Sequence, residues 1–131
     1  MSTRAFTIEP ARVREVPPDG VPVDLAPLRE LGDSELVSEL AVLFIDSTPP
    51  LMAEIRDALA RGDAAGVALA AHSVKGASAN MTAEPLARAA AALEDAGKRR
   101  DLAAMLTLVE AVESSFREAA AYLVAELGLT A

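Results

Sequence analysis

Between Asp33 and Leu127, apolar residues recur three and four positions apart, the spacing of one buried helical face. Leu36, Val37, Leu40, Leu43 and Phe44 form the first such stripe, with Asp33 placed to cap its start and Pro49-Pro50 to interrupt it. Thr48 followed by Pro49 then reads as the cap and first turn of a second helix, striped by Leu51, Met52, Ile55, Ala58 and Leu59 and stopped at Gly62. Asp63 caps a helix running to about Met81. Leu86, Ala89, Ala90, Leu93 and Ala96 mark another that ends near Gly97. After Asp101 comes a long rod carrying Leu102, Met105, Leu106, Val109, Val112, Phe116, Ala119, Ala120, Leu123 and Leu127 on one side.

Upstream the pattern changes. Residues 1–23 contain Pro10, Pro17, Pro18 and Pro22, which remove backbone donors and fix φ, so they read as a proline-containing N-terminal arm with few core contacts. The stretch from Asp24 reads as a short helix ended by Gly32 in the left-handed region. Short connections favour antiparallel neighbours. The expected fold is therefore all-α: an antiparallel up-down four-helix bundle with an additional short N-terminal helix, the bundle domain spanning residues 24–131.

Composition agrees with one compact domain. The chain has 131 residues, 52% of them hydrophobic but only 3% aromatic, so its core is built from small and aliphatic side chains. Twenty acidic residues against twelve basic ones give a net charge of −8, which repels phosphate backbones and anionic lipid, so neither nucleic acid nor membrane is an expected partner. No stretch reads as the ~18 continuous apolar residues of a membrane span. The absence of cysteine excludes disulfides and thiolate sites and suits a reducing cytoplasm, where the protein is expected as a monomer.

The chain has one histidine, in the stretch AAHSVKGASANM from Ala70 to Met81. On a wheel of about 100° per residue, Val67, Ala70, Ala71, Val74, Ala77, Ser78 and Met81 share an arc roughly 120° wide. His72 lies about 160° from its centre and points to solvent. Its surface neighbours are Ala68, Leu69, Lys75, Gly76 and Ala79, mostly small. A glycine within a helix costs about 1 kcal/mol relative to alanine, so Gly76 is expected to secure access to the imidazole. Lys75 is expected to oppose ring protonation and to neutralise an anion placed on the ring.

Other histidine chemistries fit poorly. A metal site needs several ligands, yet no second histidine, cysteine or acidic residue three or four positions away accompanies His72. A hydrolytic triad needs an orienting carboxylate, and Ser73 is turned about 100° away. No GxxxxGK[ST] loop for nucleotide phosphates is present.

Over roughly residues 33–127 the chain resembles the histidine-containing phosphotransfer (HPt) domains of bacterial phosphorelays and the related first domain of chemotaxis kinases. The likeness centres on His72-Ser73-Val74-Lys75-Gly76-Ala77-Ser78-Ala79-Asn80-Met81, with Leu86 and the pair Leu93-Glu94 matching the following helix. The resemblance implies that His72 accepts a phosphoryl group on Nε2 from a receiver-domain aspartate and relays it to another receiver. Lys75 would stabilise that group, Gly76 would leave room for its approach, and Ala68, Leu69 and Ala79 would form the docking surface. Ser78 would pack inside or support the ring. Thr82 stands where the family usually has glycine, and a β-branched residue resists a left-handed terminus.

Implied partners are response-regulator receiver domains, a hybrid histidine kinase, or both. The chain would bind no cofactor, the Mg²⁺ of the transfer being held by the receiver. It would be a carrier without kinase activity. Two alternatives stay open: a helical module that binds receivers or kinases without being phosphorylated, and a detached substrate domain of a chemotaxis-type histidine kinase.

Overall fold

The computed structural model describes residues 21–129, which form five helices and no strand. These are α1 (Ala26–Leu31), α2 (Ser34–Ala60), α3 (Ala64–Asn80), α4 (Glu84–Lys98) and α5 (Leu102–Leu127). Helix α2 packs on α3, α3 on α4 and α4 on α5, and α5 closes back on α2 while α1 rests on α2. The expected four-helix bundle with its short N-terminal helix is therefore the fold. Its core is aliphatic, with Ile55, Leu86, Leu93 and Leu123 wholly buried. Phe44 and Phe116 meet across α2 and α5 with ring centroids 5.6 Å apart.

The break expected at Pro49-Pro50 does not occur, because α2 runs through both. Both prolines lie on the exposed side, where water can reach the carbonyls they leave without partners, and Phe44 and Ile55 on either side enter the same core. Thr48 is buried within the helix instead of capping one, and its hydroxyl donates to the Phe44 carbonyl at 2.7 Å. The fused helix is also long and apolar enough to cross a membrane by length and composition, although it contains no unbroken apolar run of that length. Here it contributes Val37, Ala41, Phe44, Ile55 and Ala58 to the bundle core, and Arg56 makes a two-pronged pair with Glu113 of α5 at 2.7 Å. Leu36 and Leu43 of its stripe, like Leu102 and Leu106 of α5, are exposed instead of buried.

One hairpin geometry joins the four long helices three times. In Arg61-Gly62-Asp63, Met81-Thr82-Ala83 and Arg99-Arg100-Asp101 the middle residue is left-handed, with φ of 70°, 52° and 57°. The third residue's N–H donates back five residues, to Ala58, Ser78 and Ala96 respectively, at 2.8, 2.9 and 3.0 Å. Thr82 thus adopts the conformation its branching disfavours. The segment before α1 anchors it: the Asp24 N–H donates to the Thr82 carbonyl at 3.0 Å, and the Thr82 hydroxyl donates to the Asp24 carbonyl.

One further expectation, at Gly32, is corrected. Gly32 is extended, with φ −162°, and a Cβ there would run into the Leu36 side chain. Helix α4 ends at Lys98, beside Gly97 as expected, and a Cβ on Gly97 would stand 2.9 Å from the Ala64 carbonyl oxygen and 3.0 Å from Ala68, so this glycine sets the close approach of α3 and α4. The arm expected over residues 1–23 falls mostly outside the described residues, but its last member, Val23, is wholly buried in the core.

Candidate functional site

The small-residue face of α3 packs against α4 and leaves His72 on the outer edge of their seam. Val67, Ala70, Ala71, Val74, Ser78 and Met81 are buried as the wheel predicts, with Ala77 partly so, and the His72 side chain is 62% exposed. Its Nδ1 lies 3.1 Å from Glu94 Oε2 on α4. Lys75 Nζ reaches the other oxygen of the same carboxylate at 3.0 Å, and Lys98 Nζ, one turn beyond Glu94, reaches Oε2 at 3.2 Å.

Glu94 is the hub of this cluster. Its side chain is only 10% exposed. Its hydrogen bond to Lys75 outweighs the cost of burial and, with Lys98 adding to it, lowers the carboxyl pKa from its ordinary 4.5 to about 2. A carboxylate that stays ionised can only accept, so the imidazole proton belongs on Nδ1. Nε2 is then left with its lone pair, facing solvent.

No carboxylate lies within a turn of His72 in the sequence, so the orienting one is not visible there. It comes instead from the neighbouring helix, 22 residues on. The signal available was Glu94 itself, a carboxylate embedded in the apolar stripe of Leu86, Ala90, Leu93 and Ala96. Lys98 and Arg100, which border the site with it, were also missed. Lys75 is not a free cation facing the ring: its charge is paired with Glu94, and the charge beside Nδ1 is negative.

The remaining expected residues divide. Leu69 is 72% exposed, Ala79 is exposed, and a Cβ on Gly76 would meet nothing within 4 Å, so the space beside the ring is open. Ala68 is buried at the α3–α4 contact and floors a groove instead of projecting from the surface. Ser78 packs inside, but its hydroxyl donates to the Val74 carbonyl at 2.6 Å, and the ring is held by Glu94. Among the described residues no three His, Asp or Glu side chains converge as a metal site.

The Hpt domain family matches residues 39–125, a span that contains every member of this cluster. The chain belongs to the Hpt domain family. The crystal structure of histidine-containing phosphotransfer protein B (HptB) from Pseudomonas aeruginosa PAO1 superposes on this Hpt domain with a TM-score of 0.77 at 29% sequence identity. That match covers 83% of this chain and 96% of the other. No curated protein matches the chain.

Proposed function

We propose that this Hpt domain is a phosphoryl carrier of a two-component relay, accepting the group on Nε2 of His72 from a receiver-domain phosphoaspartate and passing it to a second receiver. The observation that carries this reading is the Nδ1 contact with Glu94, which fixes the ring so that the exposed nitrogen is the nucleophile. In the transfer, Nε2 forms a bond to phosphorus as the P–O bond to the aspartate carboxylate breaks, and the carboxylate leaves with the electron pair. The ring keeps its Nδ1 proton and becomes a phosphorylated imidazolium. Glu94 stabilises that new positive charge, while Lys75 has a flexible stem long enough to turn its ammonium toward the phosphoryl oxygens. Lys98 then remains on Glu94.

This division of labour needs a partner. The site supplies a nucleophile, an orienting carboxylate and cations, so Mg²⁺ and the acidic pocket belong to the receiver. Family membership and the likeness to a histidine-containing phosphotransfer protein support receivers, and the kinases that carry them, as that partner. On this reading the chain takes no phosphoryl group directly from ATP and acts as a monomer in the cytoplasm.

Incubation with a ³²P-phosphorylated receiver domain tests the reading. The wild type should gain acid-labile, alkali-stable label, and a folded His72→Gln variant should gain none. Label that survives acid, or that persists in His72→Gln, would refute it. Label gained only from a chemotaxis-type kinase in trans would assign the chain to the substrate-domain alternative.

A further inference from the structure

Beside His72, the first half of α3 and the end of α4 enclose an open groove of about 380 Å³. Ala68 and Gly97 floor it, Leu69 and His72 stand on the α3 side, and Lys98 and Arg100 border the other. The three consecutive cations at the end of α4 are not equivalent. Lys98 is bound to Glu94, and Arg99 is bound to Asp95 at 2.8 Å and Asp101 at 3.2 Å. Arg100 has no ion-pair or hydrogen-bond partner for its guanidinium among the described residues, and the left-handed turn with φ 57° fixes where its side chain leaves the backbone.

A donor that brings a phosphoaspartate into contact with Nε2 comes within reach of this groove, because His72 is part of its rim. A protein of net charge −8 repels an acidic partner over most of its surface, and Arg100 supplies at the rim a positive charge that no described residue pairs with. Leu69, 72% exposed, offers apolar contact within the same opening. Resting on the phosphotransfer reading above, we propose that the groove is a specificity subsite for the incoming receiver, which seats an apolar side chain against Leu69 and a carboxylate on Arg100. Arg100 thereby selects which receivers dock, while Lys75 and Glu94 serve the transfer itself.

The test measures transfer rate against concentration of a phosphorylated receiver domain that labels the wild type, for Arg100→Gln, Arg100→Lys and, as a control on α1, Arg29→Gln. Arg100→Gln should raise the half-saturating receiver concentration five- to tenfold with less than a twofold change in maximal rate, and Arg100→Lys should recover most of the loss. Added salt should shrink the difference between the wild type and Arg100→Gln. An unmoved half-saturation in folded Arg100→Gln, or an equal rise in Arg29→Gln, would overturn the proposal. So would inorganic phosphate binding, or self-association, that Arg100→Gln abolishes without moving receiver saturation. Failure of every phosphorylated receiver to label the wild type would instead count against the phosphotransfer reading on which this one rests.

Discussion

At His72 the decisive feature is which nitrogen is tied. Glu94 holds Nδ1, and Glu94 is itself kept ionised by Lys75 and Lys98. Replacing it by glutamine keeps the size but removes the charge and lets the ring turn. Transfer to Glu94→Gln should fall about 10- to 100-fold, the scale seen when the carboxylate behind a metal-bound histidine is removed, in a protein that still folds. A transfer time course checks this. The same carboxylate makes a pH prediction. Folding lowers its pKa from 4.5 to about 2, so the native state binds fewer protons than the unfolded chain across that interval. Its contribution to stability is complete above about pH 4.5 and is lost as pH falls towards 2. The stability difference between wild type and Glu94→Gln in denaturant melts should therefore be larger at pH 5 than at pH 3, shrinking as the pH falls towards 2. The exposed histidine, Lys75 and the open space at Gly76 were legible from helical phase within a single segment. Glu94 was not, because a contact between helices 22 residues apart leaves no local period, only an odd carboxylate in an apolar stripe.

At the level of elements, the three hairpins repeat one geometry with three different middle residues: Gly62, Thr82 and Arg100. A non-glycine residue in the left-handed region costs about 1 kcal/mol, so Arg100→Gly should stabilise the fold by up to roughly that amount. Thr82→Gly should gain less, or lose stability, because it also removes the hydroxyl that bonds the Asp24 carbonyl. Chemical denaturation of the two variants side by side checks the ordering. Local chemistry announced these turns unevenly. Asp33 and Asp63 were readable as caps, and these two and Asp101 each accept a backbone N–H three residues on, at 2.9, 2.9 and 3.1 Å. Pro49 and Pro50 misled because the rule that prolines end helices is local. Burial of Phe44 and Ile55 on either side of them is not, and it carries α2 through.

Over the whole molecule, the packed domain starts earlier than the proline pattern suggests. Val23 is wholly buried and Asp24 is bonded to the α3–α4 turn, so the stretch before α1 pins the bundle at Thr82. Val23→Ala removes two buried methyl groups and should cost about 1–3 kcal/mol, lowering the melting temperature by several degrees. A melting temperature equal to wild type would mean that this segment is dispensable. The bundle and its site act together: α4 presents Glu94 to Nδ1, which on the proposed function leaves α3 to offer Nε2 to a receiver. Nitrogen-15 and phosphorus-31 NMR of the chain after transfer from a phosphorylated receiver domain tests it most directly, since the chain has one imidazole. The predicted result is ¹⁵N–³¹P coupling at Nε2 of His72 with the proton retained on Nδ1, and coupling at Nδ1, or a ring left unmodified, would contradict it.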